Sequence, residues 1–356
     1  MTKRENLLSL LRRQGYESVP VEFSLCPHLY KVYQEKTGGA LPYETYFGFP
    51  WRAIDGIRLP SRDMSIFRAY FDPPLNESYR AADIDAWGVG HEHSPNSMHM
   101  TYMRHPMRNM TELAELEAYP FPDYAGGDIS HMRDEADAIK RQGLAVLANM
   151  QCTIWETAWY LRGMEELMMD MMEEDEKASF LLEKVTERAC IRAAAYARAG
   201  ADILFLGDDI GMQRTPLMSL ELYRTWIKPN LKKVIDTARN IQKDIIVLYH
   251  SCGFATPFID DLIDAGVDVL NPIQSECMDF ADIHARYGDR LSFHGTIGTQ
   301  SVMPFGTPDE VRATVRRNLR IAGEKGGLFP APTHLLEPEV PWENILAYVD
   351  ACRSFK

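Results

Sequence analysis

A histidine and a cysteine two residues apart, His250 and Cys252, follow the apolar run Ile245-Ile246-Val247-Leu248-Tyr249 and precede Gly253. In extended chain, residues i and i+2 share a face, so an imidazole and a thiolate at this spacing can point at one ion. Zinc accepts His nitrogen and Cys sulfur at about 2.0–2.3 Å, and a catalytic zinc keeps one of its four positions open. A third ligand must come from elsewhere, and His334, at the close of the last apolar run, is the expected one. Taken alone, the spacing leaves metal binding and structural packing both open. Other polar residues end apolar runs in the same way: Asp208-Asp209, Asn271 with Gln274, His294, and Thr333-His334. Glu156 follows a further run and either reaches the same place or caps the next helix.

These runs recur at regular intervals. Residues 202–208 (DILFLGD), 244–250 (DIIVLYH), 267–274 (VDVLNPIQ), 291–295 (LSFHG) and 327–332 read as strands. Residues 219–240, 255–265, 280–287, 307–323 and 341–355 read as the helices that alternate with them. Thr307-Pro308-Asp309-Glu310 and Pro341-Trp342-Glu343-Asn344 place proline and acids where a first helical turn favours them. Upstream, 143–150 (GLAVLANM) reads as a strand, followed by a Met-rich helix at about 157–174 and another at 177–199. Residues 19–24 read as a first strand after an opening helix, and a further strand is expected between 50 and 72.

About eight strands, each apolar throughout, describe a parallel sheet covered on both faces. The expected fold is therefore α/β, a (β/α)8 TIM barrel with an N-terminal helix, as a single domain over 1–356. A doubly wound sheet is the alternative, but Gly88-Val89-Gly90 lacks the third glycine of a dinucleotide fingerprint. Residues 79–124 break the alternation with Trp87-Gly88-Val89-Gly90, a strand at 97–104 and the exit Tyr119-Pro120-Phe121-Pro122; a hairpin insertion is expected there. Barrel active sites form at the C-terminal ends of the strands, so the polar residues that end the runs should converge.

The chain carries 38 Lys and Arg against 51 Asp and Glu, a net charge of −13. That excess argues against a nucleic-acid partner and against docking on an anionic membrane. No stretch approaches the roughly 18 apolar residues of a bilayer span. The opening Met1-Thr2-Lys3-Arg4 reads as the start of a helix rather than a signal peptide. Cys26, Cys152, Cys190, Cys252, Cys277 and Cys352 are scattered without a C-x-x-C pair, which suits reduced thiols in the cytoplasm. No G-x-S-x-G elbow is present. His91 and His93 with His99 could chelate a metal, but their polar hairpin favours a solvated or substrate-facing loop. Met164, Met168, Met171 and Met172 read as core packing. Apolar Phe47-Gly48-Phe49-Pro50-Trp51 suits either a homodimer surface or a lid.

Several motifs, taken in order, resemble one superfamily over nearly the whole chain. They are Asp85-Ala86-Trp87-Gly88-Val89, Tyr119-Pro120-Phe121-Pro122, Trp159-Tyr160-Leu161-Arg162-Gly163-Met164 and Gly207-Asp208-Asp209-Ile210-Gly211. His250-Ser251-Cys252-Gly253, Asn271-Pro272-Ile273-Gln274, His294-Gly295, Ala331-Pro332-Thr333-His334 and Pro341-Trp342-Glu343-Asn344 complete the set. The resemblance is to the uroporphyrinogen decarboxylase superfamily, which includes zinc methyltransferases that act with corrinoid proteins, and it implies the same barrel.

Within that superfamily the decarboxylases hold substrate carboxylates with an early arginine-rich segment around R-Q-A-G-R. The matching stretch here, Val19-Pro20-Val21-Glu22-Phe23-Ser24-Leu25-Cys26, has no arginine. An octacarboxylate would meet a net acidic protein without those cations. The methyltransferase branch carries H-x-C followed far downstream by a Cys. His250 and Cys252 match it, and His334 stands where the last Cys is expected. A His2Cys set still suits zinc, with one thiolate fewer, which weighs against a thiol such as coenzyme M as substrate.

The resemblance thus implies a methyltransferase with Zn2+ on His250, Cys252 and His334. It would move a methyl group between a small methylated substrate (a methyl ether or amine, or a thiol acceptor) and a corrinoid carried by a partner protein. Asp208, Glu156 and His294 are expected to handle protons, and Asp209, Asn271 and Gln274 to bind substrate. The alternatives are a metal-free decarboxylase of a small carboxylic acid, built on Asp208 and His334, and a non-catalytic ligand-binding barrel.

Overall fold

The computed structural model describes residues 1–75, 83–93 and 101–355. Its strands in chain order are β1 (Trp51–Ala53), β2 (Gly90–His93), β3 (Thr101–Arg104), β4 (Ala145–Gln151), β5 (Ile203–Gly207), β6 (Ile246–His250), β7 (Val269–Asn271), β8 (Ser292–His294) and β9 (Leu328–Phe329). Seven of these form one sheet in the order β1-β4-β5-β6-β7-β8-β9. Every neighbouring pair in it is parallel. The sheet curls on itself, so that Trp51 in its first strand meets Phe329 in its last with ring centroids 5.1 Å apart.

The architecture is a (β/α)8 barrel whose eighth position differs from the expected strand at 19–24. Among the described residues that segment makes no ladder, and one parallel bridge, Leu25 to Leu336, ends it. Pro20 has no N–H to give to a ladder there. The Tyr348 hydroxyl holds the segment instead, lying 2.7 Å from the Pro330 carbonyl and 3.3 Å from the Glu22 N–H.

Two cores explain why the strands read as apolar throughout. Ala145, Leu147, Ile203, Ile246, Leu248, Val269 and Phe329 turn inward and pack with Leu7, Leu8, Leu10 and Leu11 of the first helix, Lys3–Leu11. Their neighbours Val146, Ala148, Leu204, Val247, Leu270 and Phe293 turn the other way, into the core shared with the outer helices. The first helix is set by a reciprocal cap, with the Thr2 side chain accepting the Glu5 N–H and the Glu5 carboxylate accepting the Thr2 N–H. Its ends bond Gly143 and Gly327, which precede β4 and β9, so it plugs the end where the strands begin. The opposite mouth is left for a site. Continuing the inward series 246, 248 and 269 by two residues brings His250 and Asn271 to that mouth.

Some elements depart from the sequence expectation. The Met-rich helix is two, Trp155–Arg162 and Met164–Met172, because Gly163 adopts φ 96°, which no helical residue shares. Met171 is buried and Met164 and Met168 pack against the core, but Met172 is 70% exposed and is not core. The helix at 219–240 contains a π turn at Tyr223–Ile227 before Lys228–Arg239. Pro229 cannot donate to the Thr225 carbonyl, and the ladder shifts there. Phe47, Phe49 and Trp51 are buried, with Phe47 and Phe49 each 5.1 Å from the Phe23 ring, so this segment is core rather than lid or dimer surface.

The hairpin is present as antiparallel β2 and β3, with Gly90 opposite Arg104. His91 ties it down, with Nε2 3.2 Å from Asp85 Oδ2 and Nδ1 3.2 Å from Thr101 Oγ1. His99, residues 79–82 and the first part of the strand expected at 97–104 lie outside the described residues. All six cysteines are unpaired. Among the described residues no helix is long and apolar enough to cross a membrane.

Candidate active site

His250 ends β6 at the barrel mouth, with Cys252 two residues on in the loop. Cys252 Sγ lies 3.3 Å from His250 Nε2, and Asp209 Oδ1 lies 3.5 Å from the same nitrogen. The sulfur, nitrogen and carboxylate oxygen all stand within 4.8 Å of one another. Donors held about 2.0–2.3 Å from one tetrahedral zinc are about 3.3–3.6 Å apart, so the spacing and the S, N, O donor set both fit that ion. Asp209, expected to bind substrate, supplies the third donor atom of this cluster. His334, expected there, is exposed at the rim and outside this cluster, its ring centroid 6.4 Å from that of His250.

Electrostatics suit a ligand set waiting for a cation. Burial holds His250 below its ordinary pKa against the pull of Asp209, so the ring is neutral near pH 7, as a metal ligand must be. Burial, followed by the Asp209 charge, pushes the Cys252 thiol well up.

The loops that carry these groups pack backbone against backbone, which the motif glycines permit. Gly207 is the register partner of His250, and a Cβ there would sit 2.5 Å from the His250 Cβ. Gly253 has φ 80°, and a Cβ on it would lie 2.6 Å from the Met212 carbonyl oxygen. Asp209 Oδ1 accepts the Cys252 N–H at 2.7 Å, and Gln274 Oε1 accepts the Gly253 N–H at 2.8 Å. Gln274, expected at the substrate, therefore holds the loop that carries Cys252.

Asn271, also expected at the substrate, has its amide engaged by two histidines. Its Oδ1 is 2.6 Å from His250 Nδ1, and its Nδ2 is 2.6 Å from His294 Nδ1 and 3.1 Å from the His294 carbonyl. Both histidines line a pocket of about 250 Å³ together with Glu22, Gln151, Phe205 and His334. Glu22, Gln151 and Phe205 were not singled out from the sequence. Phe205 and Gln151 continue the inward alternation of Ile203 and Leu147, which was the signal available for them.

The three expected proton carriers separate. Asp208 is fully buried and accepts the Ile154 N–H at 3.0 Å and the Glu156 N–H at 2.9 Å, capping helix Trp155–Arg162 from the neighbouring strand. Burial, then Glu156, pushes its pKa well up, and its carboxylate is spent on structure. Glu156 is freed from capping and turns to the loop that carries Asp209. Its Oε1 accepts the Tyr160 hydroxyl at 2.7 Å and its Oε2 the Asp209 N–H at 3.2 Å. Burial, then the Asp209 charge, raises its carboxyl to about 7. His294 faces Glu22, with Nε2 3.2 Å from Oε2.

The chain is similar to known proteins in sequence and in fold. A family model described as Uroporphyrinogen decarboxylase (URO-D) matches residues 84–355. The methylated-thiol–coenzyme M methyltransferase of Methanosarcina mazei is 24% identical over 239 residues, covering 64% of this chain and 57% of that protein. A uroporphyrinogen decarboxylase of Coxiella burnetii is 24% identical over 178 residues, covering 49% of this chain and 46% of that one. The matched segments thus span only about half the length of either relative. A solved structure of a methyltransferase from Methanosarcina mazei superposes with a TM-score of 0.70 at 18% identity, covering 99% of this chain and 98% of that one. The chain belongs to the uroporphyrinogen decarboxylase family.

Proposed function

We propose that this protein is a zinc-dependent methyltransferase that moves a methyl group between a small methylated substrate and a corrinoid carried by a partner protein. The observation that carries this reading is the Asp209–His250–Cys252 cluster beside a pocket of small-molecule size. Similarity to the Methanosarcina mazei methyltransferase supports methyl transfer as the chemistry. Zinc held by these three residues would act as a Lewis acid on the substrate heteroatom. With one thiolate in the set, a methyl ether or amine is favoured over a thiol acceptor.

The chain's own groups do the rest. Gln274 and Asp209 hold the Cys252 loop. Glu156 and His294 would exchange a proton with the departing heteroatom. His334 faces the pocket from the exposed rim, where it can meet substrate or close on a fourth coordination position. Reducing cytoplasm suits an unpaired Cys252.

The test is a spectroscopic assay with zinc-loaded protein, cob(I)alamin and a panel of methoxylated and N-methylated compounds. Growth of methyl-Co(III) absorbance with a panel member is the expected result. No methyl-Co(III) with any of them, together with carbon dioxide release from a small acid, would replace this reading with a decarboxylase.

A further inference from the structure

The contacts around Asn271 determine where the protons of two histidines sit. Asn271 Nδ2 is 3.1 Å from the His294 carbonyl oxygen, which can only accept, so the amide nitrogen is fixed on that side. The amide oxygen then faces His250 Nδ1 at 2.6 Å and can only accept, so Nδ1 carries the His250 proton. His250 Nε2 is left with its lone pair toward Cys252 Sγ at 3.3 Å and Asp209 Oδ1 at 3.5 Å. The second amide hydrogen meets His294 Nδ1 at 2.6 Å, so that nitrogen offers a lone pair and the His294 proton sits on Nε2. A cationic His294 would set N–H against N–H. His294 Nε2 is buried and lies 3.2 Å from Glu22 Oε2 without the alignment of a hydrogen bond, in a residue that lines the pocket.

We propose that Asn271 is a positioning residue that fixes opposite tautomers on its two neighbours, turning His250 lone pair first toward Asp209 and Cys252 and His294 proton first toward Glu22. One amide thereby sets the His250 nitrogen that faces Cys252 and Asp209 and the His294 nitrogen that faces Glu22. Glu22, which lines the pocket beside His294, opposes an anionic substrate there. The inference rests on the proposed zinc reading for the use of the His250 lone pair; the tautomers themselves do not depend on it.

The test uses the full chain with 15N-labelled histidine, stripped of metal by chelator. Imidazole 15N shifts are read with His250→Gln and His294→Gln variants to assign the signals. His250 is expected as the Nδ1–H tautomer and His294 as the Nε2–H tautomer. Asn271→Asp keeps an acceptor for His250 and loses the donor to His294. Its His250 tautomer should persist, with zinc affinity within about threefold of wild type, while His294 gains a proton on Nδ1. Asn271→Leu offers His250 no acceptor, so His250 should redistribute between tautomers and zinc affinity should fall about 10–100-fold.

The reverse tautomers in the wild-type protein would overturn the inference, as would unchanged His294 shifts in Asn271→Asp. If Asn271→Leu does not fold, the Asp variant decides alone. Wild-type protein that shows the expected tautomers but takes up no zinc would support the tautomer lock and overturn the zinc reading, so the two failures are distinguishable.

Discussion

Asp209 and Cys252 are joined twice: Asp209 Oδ1 accepts the Cys252 N–H at 2.7 Å, and the two side chains belong to one cluster of potential metal donors. One carboxylate both shapes the loop and offers it an oxygen. Asp209→Asn keeps an acceptor for the N–H but removes the charge. It should fold with an unchanged melting temperature and bind zinc about 10–100-fold more weakly, measured by chelator competition. Unchanged zinc affinity would move the third ligand elsewhere, to His334 first.

His334 gives the complementary experiment. Its ring lies 6.4 Å from that of His250 and is exposed, so His334→Ala should retain zinc within about tenfold of wild type and act mainly on substrate KM. Loss of zinc as complete as in Cys252→Ala would make His334 a ligand.

Zinc binding should depend on pH through the thiol. Burial holds Cys252 above its ordinary pKa and His250 below its own. From about pH 7 to 8 the imidazole, held below its ordinary pKa by burial, releases little, while the thiol must give up its proton to the ion. Affinity should therefore rise at least about tenfold per pH unit across that range. Glu156, pushed to about 7 by burial and by Asp209, adds to the slope as the ion relieves the repulsion. A flat titration by calorimetry would contradict a thiolate ligand.

Stability should depend strongly on Arg162. Arg162 is 5% exposed and Asp170 7%. The guanidinium donates to Asp170 at 2.8 Å and to the Met107 and Met110 carbonyls at 2.6 and 2.8 Å, tying the segment after the hairpin to the helices behind β4. Arg162→Met leaves a buried carboxylate without its partner and should cost about 3–5 kcal/mol in denaturant unfolding. Arg162→Met with Asp170→Leu should recover part of that loss. A single variant as stable as wild type would show that the pair contributes nothing.

The barrel was legible because its signal is local. Ile246, Leu248 and His250 share one inward face of a run that is apolar throughout, and the sequence displays the polar end of that run together with Cys252 two residues later. The third member of the donor cluster was not legible, since Asp209 and His334 both follow strand ends and only loop curvature decides which reaches His250. Adjacent Asp208 and Asp209 illustrate the limit. Alternation sends them to opposite faces, but their duties, capping Trp155–Arg162 and facing Cys252, depend on neighbours from other strands. The same holds for Asn271, whose role is defined by histidines on β6 and β8. Glu22 lay hidden in a segment read as an ordinary strand, where Pro20 and a single bridge at Leu25 leave only extended chain.

The most direct measurement is the zinc content of untagged wild-type protein, His250→Ala and Cys252→Ala after equilibration with zinc and removal of free metal. About one zinc per chain in the wild type, lost in both variants, is the expected result. A wild-type protein without zinc, or variants that retain it in equal amount, would contradict a metal centre built on these residues.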